Sequence, residues 1–261
     1  MRLGLDGQRA VVTGASRGIG LAVTRALADE GVRVIAGARK SSDELRELVD
    51  AGSVREVLVD LSRPDGPAQL IAAAAEDGSI DVLVNNVGAV KVRTQGFLEV
   101  SDQDWLETFE LSFMATVRAT RAVVPHMIEA GGGRIVSTGS VNSFLPDPGV
   151  IDYCAAKAAL ANFSKALSKE LGPHNIRVNT VSPGPVSTGL WLGHGGVAET
   201  VAAAGGGAAQ DIAAQQAGAA VTGRFTEPAE VADLVVLLAS DRAGNVTGSD
   251  FVIDGGLVTT L

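Results

Sequence analysis

A tyrosine and a lysine stand four residues apart in Tyr153-Cys154-Ala155-Ala156-Lys157. On a helix this spacing puts both side chains on one face. An ammonium beside a phenol lowers the phenol's pKa electrostatically, so a group that ordinarily titrates near pH ~10 becomes a usable proton donor or acceptor. Ser140 lies thirteen residues upstream, just past a β-branched run at residues 134–138, where its hydroxyl can hydrogen-bond a substrate oxygen beside the phenol. Together the three residues describe a proton-transfer site. Cys154 points about 100° away from Tyr153 at ~3.6 residues per turn, so it is expected to pack as a small apolar group rather than act as a nucleophile.

A second cluster addresses phosphate. The run Thr13-Gly14-Ala15-Ser16-Arg17-Gly18-Ile19-Gly20 follows a short apolar run at residues 10–13 and opens a helix-patterned segment. Glycines there allow a tight turn and a close backbone approach to a pyrophosphate, which free N–H groups and the positive helix end would meet. The next β-branched run ends in Ala36-Gly37-Ala38-Arg39-Lys40, without the carboxylate that would hold ribose hydroxyls and repel a 2′-phosphate. Arg39, with Arg17 in the turn, supplies positive charge instead, which favours NADP(H) over NAD(H).

The elements that must position these residues are legible as an alternation. Short apolar runs fall at residues 10–13, 32–36, 54–59, 82–85, 134–138, 176–181 and 251–253, separated by helix-patterned segments that include 18–30, 67–76, 102–130 and 152–171. Strand–helix–strand order with near-continuous apolar strands predicts an α/β fold: a doubly wound, parallel, seven-stranded Rossmann-like sheet with helices on both faces. With no linker or repeat, residues 1–261 read as one domain. Between Ala202 and Ala220, fourteen of nineteen positions are Ala or Gly, which predicts one or two weak helices around a hinge. The segment 190–221 is expected to be a mobile substrate lid.

Composition narrows the function classes. Asp and Glu outnumber Lys and Arg by 30 to 21, giving a net charge of -9, so the chain as a whole repels nucleic acid. The single cysteine cannot form an internal disulfide, and His126, His174 and His194 show no metal-ligand spacing, so no metal is expected. No signal-peptide core opens the chain and no apolar stretch is long enough for a membrane span, so a cytoplasmic protein is expected.

Taken in order along the chain, these motifs resemble the short-chain dehydrogenase/reductase family over residues 7–256, including its 3-oxoacyl carrier-protein reductases and other carbonyl reductases. The matching positions are the 13–20 turn, Asp60-Leu61, Asn85-Asn86-Val87-Gly88, Ser140, Tyr153 with Lys157, Pro183-Gly184 with Thr188, and Asp254-Gly255-Gly256. The resemblance implies that Tyr153 is the acid/base, that Lys157 binds the nicotinamide ribose and tunes Tyr153, and that Ser140 orients the substrate carbonyl. It also implies that Asp60 and Leu61 flank the adenine, that Asn86, Val87 and Gly88 line the cofactor, and that Pro183, Gly184, Val186 and Thr188 meet the nicotinamide end. Two positions depart from the family pattern. Val87 stands where the family usually has Ala, and Ser112, in the middle of the 102–130 segment, stands where it usually has an Asn that anchors a water leading to the lysine. Altered rate or pH dependence is the expected consequence.

The implied activity is hydride transfer between NADP(H) and a carbonyl or secondary alcohol of the ketone, 3-oxoacyl or polycyclic class, with Phe144, Leu145, Trp191 and Leu192 as apolar substrate contacts. Residues 90–97, including Lys91 and Arg93, would form another pocket wall, its basic pair solvated. The alternatives are an NAD-dependent alcohol dehydrogenase on the same scaffold and a non-catalytic nucleotide-binding regulator. The resemblance also implies a homodimer or homotetramer joined through segments 102–130 and 152–171.

Overall fold

Near-continuous runs of buried residues give the central strands two buried faces. The computed structural model describes residues 3–260. Among them seven strands form one parallel sheet: β1 (Arg9–Thr13), β2 (Arg33–Ala38), β3 (Val54–Leu58), β4 (Val82–Asn85), β5 (Gly133–Thr138), β6 (Ile176–Pro183) and β7 (Asp250–Ile253). Their order is β3-β2-β1-β4-β5-β6-β7, so the chain reverses its direction of travel across the sheet between β1 and β4. The carboxyl ends of those two strands therefore flank a crevice, the usual ligand position in such sheets.

The register separates two cores. Val11 pairs with Ile35 and with Leu83, Leu83 with Ile135, and Ile135 with Val178, and all five face the same apolar cluster. Their neighbours Ala10, Val12, Val34, Val82 and Val84 face the other cluster, as the two-residue strand period requires. Helices α1 (Gly18–Asp29), α2 (Asp43–Asp50) and α10 (Pro228–Ala239) cover that second face through Val23, Leu27, Leu45 and Val235. Helices α3 (Gly66–Ala75), α5 (Ala115–Glu129) and α6 (Ile151–Leu171) cover the first through Leu70, Ile71, Val123 and Leu171. Each such side chain, fully buried, contributes about 1.5–3 kcal/mol relative to exposure.

One local feature differs from the pattern in the sequence, and a second follows it. Segment 102–130 is not one regular helix: α4 (Asp102–Phe109) passes into a wide π turn at Glu110–Met114 before α5 begins. Ser112, inside that turn, is 1% exposed and keeps three- to four-residue spacing with the buried Thr108, Ala115 and Ala119. The Ala/Gly segment folds as α8 (Val197–Gly205) and α9 (Ala209–Ala219), preceded by a single turn, α7 (Gly189–Leu192). Gly206 and Gly207, at φ 73° and 150°, join α8 to α9, a backbone that other residues rarely adopt. No residue of α9 is buried. No helix among the described residues is long and apolar enough to cross a membrane.

Candidate active site

The glycine turn is shaped by contact with the loop after β4. Gly14 and Gly18 have φ of 68° and 55°. A β-carbon on Gly20 would lie 2.2 Å from the Gly14 carbonyl oxygen and 2.5 Å from Asn86 Nδ2, so only glycine fits there. Helix α1 starts with Arg17 at its N-cap, no side chain satisfies the N–H groups of its first turn, and no carboxylate lies in that turn. By contrast, Ser101 and Asp104 close a capping box on α4. The open donors and positive helix end fit an anionic pyrophosphate. Ser16 and Ile19 lie half-exposed in the same turn.

Asn86 holds this turn rather than facing away from it. Its Nδ2 donates to the Thr13 and Gly14 carbonyls at 3.1 and 3.2 Å. The Asn86 and Val87 N–H groups both donate to Thr13 Oγ1, at 2.9 and 3.1 Å. Thr138 Oγ1 donates to Asn86 Oδ1 at 3.3 Å, and Lys157 Nζ donates to the Thr138 carbonyl at 2.6 Å. A continuous polar chain thus links β1, β4, β5 and α6. Thr13, which the sequence places only as the start of the turn, and Thr138, which motif reasoning missed, each end a strand and tie it to Asn86.

Ser140, Tyr153 and Lys157 converge at the carboxyl end of β5. Ser140 Oγ donates to Asn142 Oδ1 at 3.2 Å and accepts the Asn142 N–H at 3.1 Å, so Asn142 is a further unforeseen partner. Lys157 Nζ lies 5.6 Å from the centroid of the Tyr153 ring. The protonation balance is the reverse of the expectation from charge alone. Burial pushes the Tyr153 phenol up to about 12 against the opposing hydrogen bond from Ser140, and burial pulls the Lys157 ammonium down to about 8. Desolvation is the leading cause of both shifts, with Lys157 buried and Tyr153 partly exposed.

Ser112 Oγ donates to the Ala89 carbonyl at 3.2 Å and so reaches the same loop. A β-carbon on Gly88 would lie 3.7 Å from Ser112 Oγ and 3.8 Å from Lys157 Nζ, placing this backbone between the two side chains. Just past the end of β3, Asp60 Oδ1 accepts the Ser62 N–H at 3.0 Å and hydroxyl at 2.7 Å. Those bonds, with the charges of Arg39 and Arg63, hold its carboxyl below the usual range. Leu61 is buried, while Arg39 and Arg17 are exposed and open to a ligand. Pro183 ends β6, and Gly184 packs on Asp254, where a β-carbon would come within 2.8 Å of the Asp254 Cβ. Val186 is buried and bridges to Thr226. A β-carbon on Gly18 would lie 3.3 Å from Thr188 Cγ2, so the 183–188 loop meets the glycine turn.

The substrate-side residues are less gathered. Phe144, Leu145 and Leu192 are exposed, and Trp191 packs edge-on against Phe225 at 5.5 Å. His194 is fully exposed, with Nδ1 3.2 Å from Glu199 Oε2. Cys154 is buried, with its Sγ accepting the Asp147 N–H at 3.3 Å, so its surroundings are polar as well as apolar. Lys91 and Arg93 are not simply solvated. Lys91 pairs with Glu107 at 2.7 Å, and Arg93, 11% exposed, pairs with Asp104 and Asp152.

A seven-stranded parallel sheet with a glycine turn at its switch point and a Ser-Tyr-Lys site beside it defines a dinucleotide-type oxidoreductase fold. The family model described as short chain dehydrogenase matches residues 8–193. The chain is 38% identical to D-threitol dehydrogenase of Mycolicibacterium smegmatis, covering 97% of this chain and 93% of that one. It is 34% identical to a 3-oxoacyl-(acyl-carrier-protein) reductase of Thermotoga maritima, covering 97% and 99%. The crystal structure of L-sorbose reductase from Gluconobacter frateurii, complexed with NADPH and L-sorbose, superposes with a TM-score of 0.91 at 35% identity over 100% of both chains. The chain belongs to the short-chain dehydrogenase/reductase family and is an oxidoreductase of that family.

Proposed function

We propose that the protein is an NADP(H)-dependent oxidoreductase that interconverts a carbonyl and a secondary alcohol, with Tyr153 as the acid/base. The observation that carries this reading is the convergence of Ser140, Tyr153 and Lys157 beside the glycine turn, joined to it through Thr138, Asn86 and Thr13. When bound, the nicotinamide would supply or accept the hydride. In the reducing direction Tyr153 gives its phenolic proton to the carbonyl oxygen, and Ser140 Oγ donates a hydrogen bond to the same oxygen as charge develops on it. Lys157, anchored on the Thr138 carbonyl, places a positive charge near the phenol and steadies its anion after the transfer.

Arg39 and Arg17, with no carboxylate at the end of β2, support the 2′-phosphate preference. Bound NADPH in the L-sorbose reductase complex is consistent with it. The exposed Phe144, Leu145 and Leu192 favour a substrate with an apolar flank, such as a ketone, a 3-oxoacyl group or a polycyclic compound. A second reading, a polyhydroxylated ketone, is favoured by the likeness to the threitol and sorbose enzymes. The segment 190–221, hinged at Gly206-Gly207, serves as the lid over either substrate. Tyr153→Phe tests the assignment: kcat should fall about 10²–10⁴-fold with NADPH binding within a few-fold of wild type. Undiminished turnover would refute it.

A further inference from the structure

The loop from Gly88 to Ser101 passes the site yet contains only a hydrogen-bonded turn at residues 94–95 and one short 3₁₀ turn, Phe97–Glu99, so something other than regular secondary structure must hold it. Arg93 does so. Its N–H donates to the Gly149 carbonyl at 2.7 Å. Its guanidinium donates through Nη1 to Asp104 Oδ1 at 2.8 Å, through Nε to Asp152 Oδ1 at 3.3 Å, and through Nη2 to Asp152 Oδ2. Thr108 Oγ1 donates to Asp152 Oδ2 at 2.6 Å. Asp152 is the residue immediately before Tyr153, in the first turn of α6.

The Arg93 and Asp152 side chains are 11% and 1% exposed, whereas every other ion pair among the described residues keeps at least one side chain 28% or more exposed. A buried ion pair is a poor source of net stability, because desolvation offsets the attraction. Losing one partner is different, since the remaining buried charge must find water or a proton and the packing around it opens.

We propose that the Arg93–Asp152 pair is a latch that makes the loop after β4 and the first turn of α6 one mechanical unit, so that Tyr153 and the Gly88-Ala89 backbone keep a fixed mutual position. Arg93 is then a positioning residue for the reaction, acting through Asp152 on the residue next to it. The inference rests on the reading of Tyr153 as the acid/base.

The test compares Arg93→Met, Arg93→Lys, Asp152→Asn and the double variant Arg93→Met/Asp152→Asn in the full chain. Amide hydrogen exchange and steady-state kinetics with NADPH and a carbonyl substrate are the readouts. Arg93→Met should lose at least tenfold of its exchange protection in residues 88–97 and 147–157 together. Its kcat should fall at least tenfold while its NADPH dissociation constant stays within threefold. Arg93→Lys, which keeps the charge but not the planar fork, should fall between wild type and Arg93→Met. The double variant should recover part of the loss, because it no longer leaves a carboxylate unpaired. Protection lost in 88–97 alone, or a lower melting temperature with unchanged kcat, would overturn the latch. If the wild-type protein reduces no carbonyl, the proposed reaction fails, and the exchange data still decide the latch by whether the two segments open together or apart.

Discussion

Replacing Lys157 with methionine is expected to stabilise the fold near neutral pH while removing turnover. Lys157 is buried and its ammonium titrates at about 8 instead of 10.5, because burial disfavours its charged form. That difference of ~2.5 units, at ~1.36 kcal/mol each, makes the folded state about 3 kcal/mol less stable at pH ~7 than it would be with an unperturbed lysine. Methionine removes this penalty but also the hydrogen bond to the Thr138 carbonyl, made at 2.6 Å by a charged donor. Losing that bond costs about 1.5 kcal/mol, so the variant should be more stable by ~1–2 kcal/mol at pH ~7. As pH rises from about 8 to about 10.5, the folded lysine is already neutral while the unfolded one still holds its proton. The unfolded state then binds more protons, wild-type stability rises, and the advantage of the variant should vanish by pH ~10. Tyr153, pushed up to about 12, has the opposite effect above pH ~10, where the folded state keeps a proton that the unfolded state loses; it is present in both proteins and cancels in the difference. Urea unfolding of both proteins at pH ~7 and pH ~9.5 measures the gap. A variant less stable than wild type at neutral pH, or a gap independent of pH, would refute the reasoning.

Other expectations follow from single contacts. Gly20→Ala places a methyl group 2.2 Å from the Gly14 carbonyl oxygen; it should lower stability by about 1–3 kcal/mol in denaturant unfolding and weaken dinucleotide binding as the turn shifts. Arg39→Ala should weaken NADPH binding about tenfold, ~1.4 kcal/mol, with NADH affected much less; fluorescence titration with the two cofactors reads the contrast. Light scattering should give two or four times the 26.5 kDa chain mass, consistent with the exposed Leu98 and Leu106 near and on α4. A monomeric mass would refute the expected dimer or tetramer.

The sheet was legible because its central strands are apolar on both faces and separated by helix-length segments, so Val82-Leu83-Val84 has one natural reading. The glycine turn and the Tyr153–Lys157 spacing were legible because their chemistry is local in the chain. What was not legible depends on distant partners or on burial. Arg93 meets Asp152 across 59 positions, and a basic residue in a loop carries no local sign of such a partner. The π turn at Glu110–Met114 leaves no mark in the sequence, because Thr108, Ser112, Ala115 and Ala119 keep three- and four-residue spacing and are all buried across it. Thr13 and Thr138 join the site through hydrogen bonds between strands adjacent only in the folded sheet. The raised Tyr153 and lowered Lys157 depend on how fully protein surrounds them, which spacing along a helix does not report.

The central claim is a working proton-transfer site beside an NADP(H) cradle. Titration of the protein with NADPH and NADH by nicotinamide fluorescence, followed by turnover with ketones, 3-oxoacyl thioesters, quinones and ketoses, tests it most directly. NADPH should bind at least about tenfold tighter than NADH, a difference of ~1.4 kcal/mol, and at least one carbonyl class should be reduced. Absence of binding by either nicotinamide would contradict the cradle, and tight binding without turnover of any class would contradict the catalytic site.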